Sequence, residues 1–264
     1  LVHLVGHSYS ADPEDLMKAS MAVELLHNFT LVHDDIMDND SVRHGKPTVH
    51  NKWDEPTAIL SGDAIFVLSQ LLLNSLPQII HRRFNEVSLN ICEGQGMDKE
   101  FENDPSITMG KYLIMIGKKT GALLGLCAEL GALLSGQKKE EAHSLFQYGL
   151  NLGLAFQIQD DLLEIFGEES AMGKSLGSDI SKKKQTALTI LAKDDNSEKW
   201  LNFTSNYSKI SDYQSYFDKN RIRNKVEESI QHYINKANSA LNSAPKSDKD
   251  HLQKFTTLIL KRKF

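Results

Sequence analysis

The sequence predicts an all-α bundle. Long stretches carry apolar residues at helical spacing and are bounded by proline, glycine and Asx turns. Sustained apolar/polar alternation with β-branched residues and hairpin turns is nearly absent. No internal repeat or low-complexity linker divides the chain, so residues 1–264 read as one domain. Many of the helices are apolar on more than one side, which places one of them at the centre of the bundle.

The elements follow in order. The first nine residues read as the end of a buried helix. In Ser10-Ala11-Asp12-Pro13, Asp12 is the N-cap and Pro13 the first helical residue. The helical pattern then runs from Glu14 through an acidic run, and Gly45-Lys46-Pro47 breaks it. Further helices are expected over 57–76, with an interruption at Gly62-Asp63, and over 79–101, 111–134 and 139–166. Residues 167–181 read as a polar loop. Another helix starts at Thr186, and residues 193–216 read as short helices and loops. Two amphipathic helices close the chain, over 221–241 and 249–263.

Composition narrows the function. The chain is 40% hydrophobic and 25% charged, an ordinary globular balance, and its net charge of -5 argues against a general nucleic-acid binder. Cys92 and Cys127 make neither a disulfide framework nor a zinc ligand set, so a reducing compartment, the cytoplasm, is expected. No apolar run reads as a membrane span and no signal peptide is visible. The chain begins at Leu1, inside an apolar helical pattern, so a preceding N-terminal segment is expected.

The chemistry concentrates in His33 to His50, HDDIMDNDSVRHGKPTVH. On a helix, Asp34 and Asp38 share one face, with Asp35 beside them. Carboxylates so placed repel unless a cation or protons lie between them, and a hard divalent cation such as Mg²⁺ suits oxygen ligands. Arg43, His44 and Lys46 follow, which suits a diphosphate. A lone acidic patch is usually a solvated helix face. Here a second one exists: in FQIQDDLLE, Asp160, Asp161 and Glu164 repeat the spacing after another apolar run. Two such helices face to face would surround several Mg²⁺ ions and a diphosphate leaving group. Lys174 and Lys184 lie in and after a glycine-containing loop, and Lys119, with Thr120, interrupts an otherwise apolar helix, where a lysine needs a partner. Lys182 and Lys183 read as a solvated loop; Glu93, Gln95 and Asp98 could face a cavity but read more simply as a polar helix face.

These motifs, in this order and over almost the whole chain, resemble the trans-isoprenyl diphosphate synthases, which include the farnesyl and geranylgeranyl diphosphate synthases. The resemblance implies an isoprenoid-synthase-type bundle around a central apolar cavity, commonly a homodimer. It implies that Asp34, Asp38 and Asp160 hold Mg²⁺, three ions with diphosphate bound, supported by Asp35, Asp161 and Glu164. Arg43, Lys119, Thr120, Gln157, Lys174 and Lys184 would hold the allylic diphosphate, and His44 would help hold isopentenyl diphosphate. Three departures stand out. Glu164 replaces an aspartate, His44 replaces an arginine, and the family's N-terminal segment for isopentenyl diphosphate would precede Leu1. Phe29 and Thr30, five and four residues before Asp34, stand where the family sets product length. The pattern is most like a geranylgeranyl synthase, with a farnesyl synthase as the alternative. A helical wheel turns Phe29 away from the Asp34/Asp38 face and keeps Thr30 near it. A terpene cyclase and an inactive regulatory subunit are the rival readings.

Overall fold

The computed structural model describes residues 1–102, 104–167, 177–182, 184–244 and 248–261. After α1 (Val2–Ser8), the Asp12 carboxylate accepts the backbone N–H groups of Glu14 and Asp15 at 3.0 and 3.1 Å, and Pro13 opens α2. Helix α2 (Pro13–Asp38) continues through the acidic run and stops at Asn39, whose φ of 54° is left-handed. Asp34 and Asp38 therefore do lie one turn apart on a single helix.

A two-stranded hairpin follows, which the sequence did not announce. Strands β1 (Val42–Arg43) and β2 (Lys46–Pro47) pair antiparallel, Arg43 opposite Lys46. His44 and Gly45 form the turn with φ values of 51° and 73°, the handedness that fits the twist of paired strands. Strands of two residues are too short for alternation to register.

Next come α3 (Val49–Lys52), α4 (Glu55–Leu73) and α5 (Gln78–Phe101). The interruption expected at Gly62-Asp63 does not occur. Gly62 serves close packing instead: a Cβ there would lie 2.3 Å from Nε2 of His33 on α2. Helix α6 (Met109–Ile116) passes through a π-helical turn, Gly117–Gly121, into α7 (Ala122–Leu134). Helix α8 (Lys139–Phe166) takes the central place. It packs against α7 on one side and α13 on another, and Leu152, Ala155, Leu162 and Leu163 are fully enclosed. The remaining helices among the described residues are α9 (Ser178–Ser181), α10 (Ala187–Asp195), α11 (Ser197–Asn206), α12 (Ile210–Lys219), α13 (Ile222–Ala240) and α14 (Lys249–Leu260). Aromatic contacts order α11 and α12, in the stretch the sequence reads as short helices and loops. Trp200 and Phe203 lie 5.4 and 4.3 Å from the Tyr216 ring.

Among the described residues, three apolar clusters fill the bundle. One joins α2, α5 and α7, one joins α6, α8, α10, α12 and α13, and one joins α1, α7, α8 and α14. Helix α4 differs from the other long helices. It is long and apolar enough to cross a membrane by length and composition, against expectation, and only 22% of its apolar window is buried. Leu60, Val67, Leu68 and Leu71 face outward along one side of it.

Candidate active site

The centre of the site is Lys119. It lies in the π turn, a geometry that often marks functional positions in helices. Helix α5 approaches this turn so closely that a Cβ on Gly94 would lie 2.4 Å from the Lys119 backbone nitrogen. One turn beyond Gly94, Asp98 meets the lysine: Lys119 Nζ lies 2.6 Å from Asp98 Oδ2 and 3.3 Å from Asp34 Oδ1. One ammonium thus joins α2, α5 and the π turn. Burial draws the Lys119 ammonium down, but Asp98 and Asp34 outweigh it and hold its pKa above the usual lysine value. Burial raises the Asp34 carboxyl, Lys119 opposes this, Asp38 reinforces it, and the net shift is upward.

Asp38 is almost enclosed, with 8% of its side chain exposed, and cations flank both oxygens. Lys99 Nζ is 3.4 Å from Oδ1 and Lys184 Nζ is 3.8 Å from Oδ2. Burial lowers Lys184, and Asp179, Asp98, Asp38 and Asp34 together raise it well above the ordinary lysine range. Asp35 turns to the hairpin instead. Its Oδ1 accepts Nε and Nη2 of Arg43, each at 2.7 Å. Burial raises the Asp35 carboxyl, and Arg43 only partly offsets that. His44 is exposed at the tip of the turn.

The second acidic helix divides its carboxylates between two environments. Asp160 is half-buried on α8. Asp161 is buried and ties three helices together. It accepts the Tyr112 O–H at 2.6 Å, the Ala187 N–H at 3.0 Å and the Gln157 amide at 3.3 Å. Burial first, then Asp179, pushes its carboxyl up to about 7. Thr120 Oγ1 donates to Gln157 Oε1 at 3.1 Å, so these two sequence-predicted residues touch. Glu164 is buried on the same helix, and Lys174 lies outside the described residues.

Among the described residues no three carboxylate, histidine or cysteine side chains gather as a metal ligand set. The donor chemistry nevertheless fits Mg²⁺. This ion is usually held by one or two carboxylates with the remaining positions filled by water and substrate phosphate. Asp34 and Asp38 supply such a pair of hard oxygen donors, already near lysines suited to phosphate.

Phe29, partly buried, packs 5.0 Å from Phe66 of α4 and 4.8 Å from His33, between α2 and α4. Thr30 bonds back to the His27 carbonyl at 2.7 Å. Asp98, expected on a polar helix face, belongs to the site together with Lys99 and Glu102. The available signal was spacing, since Gln95, Asp98 and Glu102 fall at i, i+3 and i+7. Lys182, read as a solvated loop, lies 2.9 Å from Asp40. A cleft of about 390 Å³ on α14, lined in part by Gln253, Lys254 and Lys261, shares no residue with this cluster.

The fold and site define an all-α bundle in which carboxylates of α2 and α5 converge on lysines. The polyprenyl synthetase family model matches residues 1–222, and the chain belongs to that family. A short chain isoprenyl diphosphate synthase of Methanocaldococcus jannaschii is 45% identical over 186 residues, 69% of this chain and 57% of that protein. The chain spans 56 to 63% of the length of the first curated relatives it matches. A crystal structure of geranylgeranyl pyrophosphate synthase superposes with a TM-score of 0.90 at 34% identity, covering 100% of this chain and 86% of that one. A polyprenyl synthase from Caulobacter crescentus, complexed with calcium and isoprenyl diphosphate, superposes with a TM-score of 0.87 at 26% identity, covering 99% and 83%.

Proposed function

We propose that the chain is a Mg²⁺-dependent prenyltransferase that condenses isopentenyl diphosphate head-to-tail with an allylic diphosphate, releasing diphosphate. The observation that carries this reading is the interleaving of lysines with carboxylates: Lys119 pairs with Asp98 and Asp34, and one helical turn beyond Asp34 the Asp38 carboxylate lies 3.8 Å from Lys184. Carboxylates alone would bind a metal and lysines alone an anion. Together they suit a metal-bound diphosphate, and both relatives and solved neighbours carry isoprenyl or geranylgeranyl diphosphate in their names.

Bound at Asp34, Asp38 and Asp160, Mg²⁺ would neutralise the leaving diphosphate. The chain's own groups do the rest. Lys119 and Lys184 stabilise negative charge as the allylic C–O bond breaks. Thr120, Gln157 and Arg43 orient the diphosphate, with Lys174 completing the set, and His44 contacts isopentenyl diphosphate. The isopentenyl double bond attacks the electron-poor allylic carbon. A proton then leaves, and the released diphosphate is its acceptor. Apolar helix walls along α2 exclude water from the cation and hold the growing chain.

The product reading is twenty carbons. Residues 1–264 act as one domain, in the cytoplasm, as a homodimer in which a second copy covers the apolar face of α4. Diphosphate release from isopentenyl diphosphate plus farnesyl diphosphate, with Mg²⁺ and with chelator, tests the proposal. Release only with both substrates and Mg²⁺ supports it. Release from the allylic substrate alone indicates a cyclase, and no release indicates a non-catalytic chain.

A further inference from the structure

We propose that Lys99 is a resident counter-cation of the first acidic motif, one that sets how tightly Asp38 takes a divalent ion. The inference rests on the metal reading above and adds a residue to it. Lys99 Nζ has three donors, and three acceptors surround it: Asp38 Oδ1 at 3.4 Å, the Met37 carbonyl at 2.9 Å and Glu102 Oε1 at 2.6 Å. Two of the three belong to the last residues of α2, so the lysine also fastens α5 to the end of that helix. Its shortest contact is to Glu102 on its own helix, not to Asp38.

The consequence is a competition. A divalent ion approaching Asp38 Oδ1 meets an ammonium already there, and like charges oppose its entry. Glu102 offers the ammonium a second carboxylate within reach of the same rotamers. Lys99 then keeps its Glu102 contact and gives up Asp38, which turns to the metal. Lys119 has no such choice, since both of its carboxylates, Asp34 and Asp98, face it across the site. Lys99 is the lysine whose release from the motif is built into its own helix.

Uptake of Mn²⁺ by the full chain, followed by loss of the free-ion electron paramagnetic resonance signal, tests this without turnover. Lys99→Met should bind Mn²⁺ about two- to fivefold tighter than wild type, the range set by a partly exposed ion pair. Glu102→Gln should bind it about twofold more weakly, because Lys99 then stays on Asp38. The double variant Lys99→Met/Glu102→Gln should match Lys99→Met, since Glu102 acts through the lysine. Equal or weaker binding by Lys99→Met overturns the proposal. So does a Glu102 effect that persists without Lys99. If neither wild type nor Lys99→Met takes up Mn²⁺, and Asp34→Asn behaves as they do, the metal reading itself falls and takes this one with it.

Discussion

Lys119 shows how one side chain can hold both the fold and the chemistry. Its ammonium separates two carboxylates that would otherwise face each other in a largely enclosed site. Lys119→Met should therefore lower stability by about 1–3 kcal/mol, the cost of leaving buried polar groups unpaired. Urea denaturation would show it, and adding Asp98→Asn should recover part of the loss. The same substitution should lower kcat about 100- to 1000-fold, the scale for removing one stabiliser of transition-state charge. Asp34, Asp38 and Lys119 were legible in sequence because each breaks a local rule: acids four apart, or a charge within an apolar helix. The pairing of Lys99 with Asp38 was not. Periodicity says which residues share a helix face, but not which face of another helix it meets. Asp161 makes the same point. It sits beside Asp160 in the motif, yet it faces Tyr112 and the start of α10.

At the level of elements, the π turn and α5 form the part of the site that sequence reading smoothed over. A run of apolar residues looks the same whether the helix is α or briefly π. Gly94→Ala tests their contact. A methyl 2.4 Å from the Lys119 nitrogen must push α5 away, for about 1–3 kcal/mol of overpacking. Thermal denaturation would measure that loss, and kcat should fall with it because Asp98 moves with the helix. Helix α14 is docked by a different device. The buried Tyr148 hydroxyl donates to the Leu252 carbonyl at 2.8 Å and lies 2.9 Å from Thr256 Oγ1. Burial, opposed by Thr256, pushes its phenol up to about 12. A raised phenol favours folding in its protonated form. That contribution is complete below pH 10, near the ordinary tyrosine value, and is lost as pH rises through 12. Two pKa units correspond to about 3 kcal/mol. Tyr148→Phe should lose about 1 kcal/mol at neutral pH, and its stability should fall less steeply than that of wild type between pH 10 and 12.

The whole molecule is a bundle wrapped around α8, with an acidic, lysine-lined site where α2, α5, α8 and the π turn meet. The bundle was legible because long amphipathic stretches, caps and the near absence of strand patterns all pointed the same way. Its outer surface was less so. Exposure of Leu60, Val67, Leu68 and Leu71 on α4 appears only once the helices are placed, because an apolar stripe reads alike whether it faces the core or another copy. If a second copy covers this stripe, Leu60→Asp with Leu68→Asp should weaken self-association by about 100-fold or more, measurable by sedimentation. Unchanged association would remove α4 from the interface. Product length belongs to this scale too, since it depends on the space between α2 and its neighbours. Phe29→Ala should lengthen the product by opening the contact with Phe66, and an unchanged product would confine Phe29 to the core.

The most direct measurement is product identity. The full chain is incubated with Mg²⁺, isopentenyl diphosphate and, in turn, dimethylallyl, geranyl and farnesyl diphosphate, and the prenyl products are analysed after dephosphorylation. The account predicts Mg²⁺-dependent formation of a linear, all-trans prenyl alcohol of twenty carbons from farnesyl diphosphate, abolished by Asp34→Asn. A cyclic hydrocarbon formed without isopentenyl diphosphate, or no product from any primer, would contradict it.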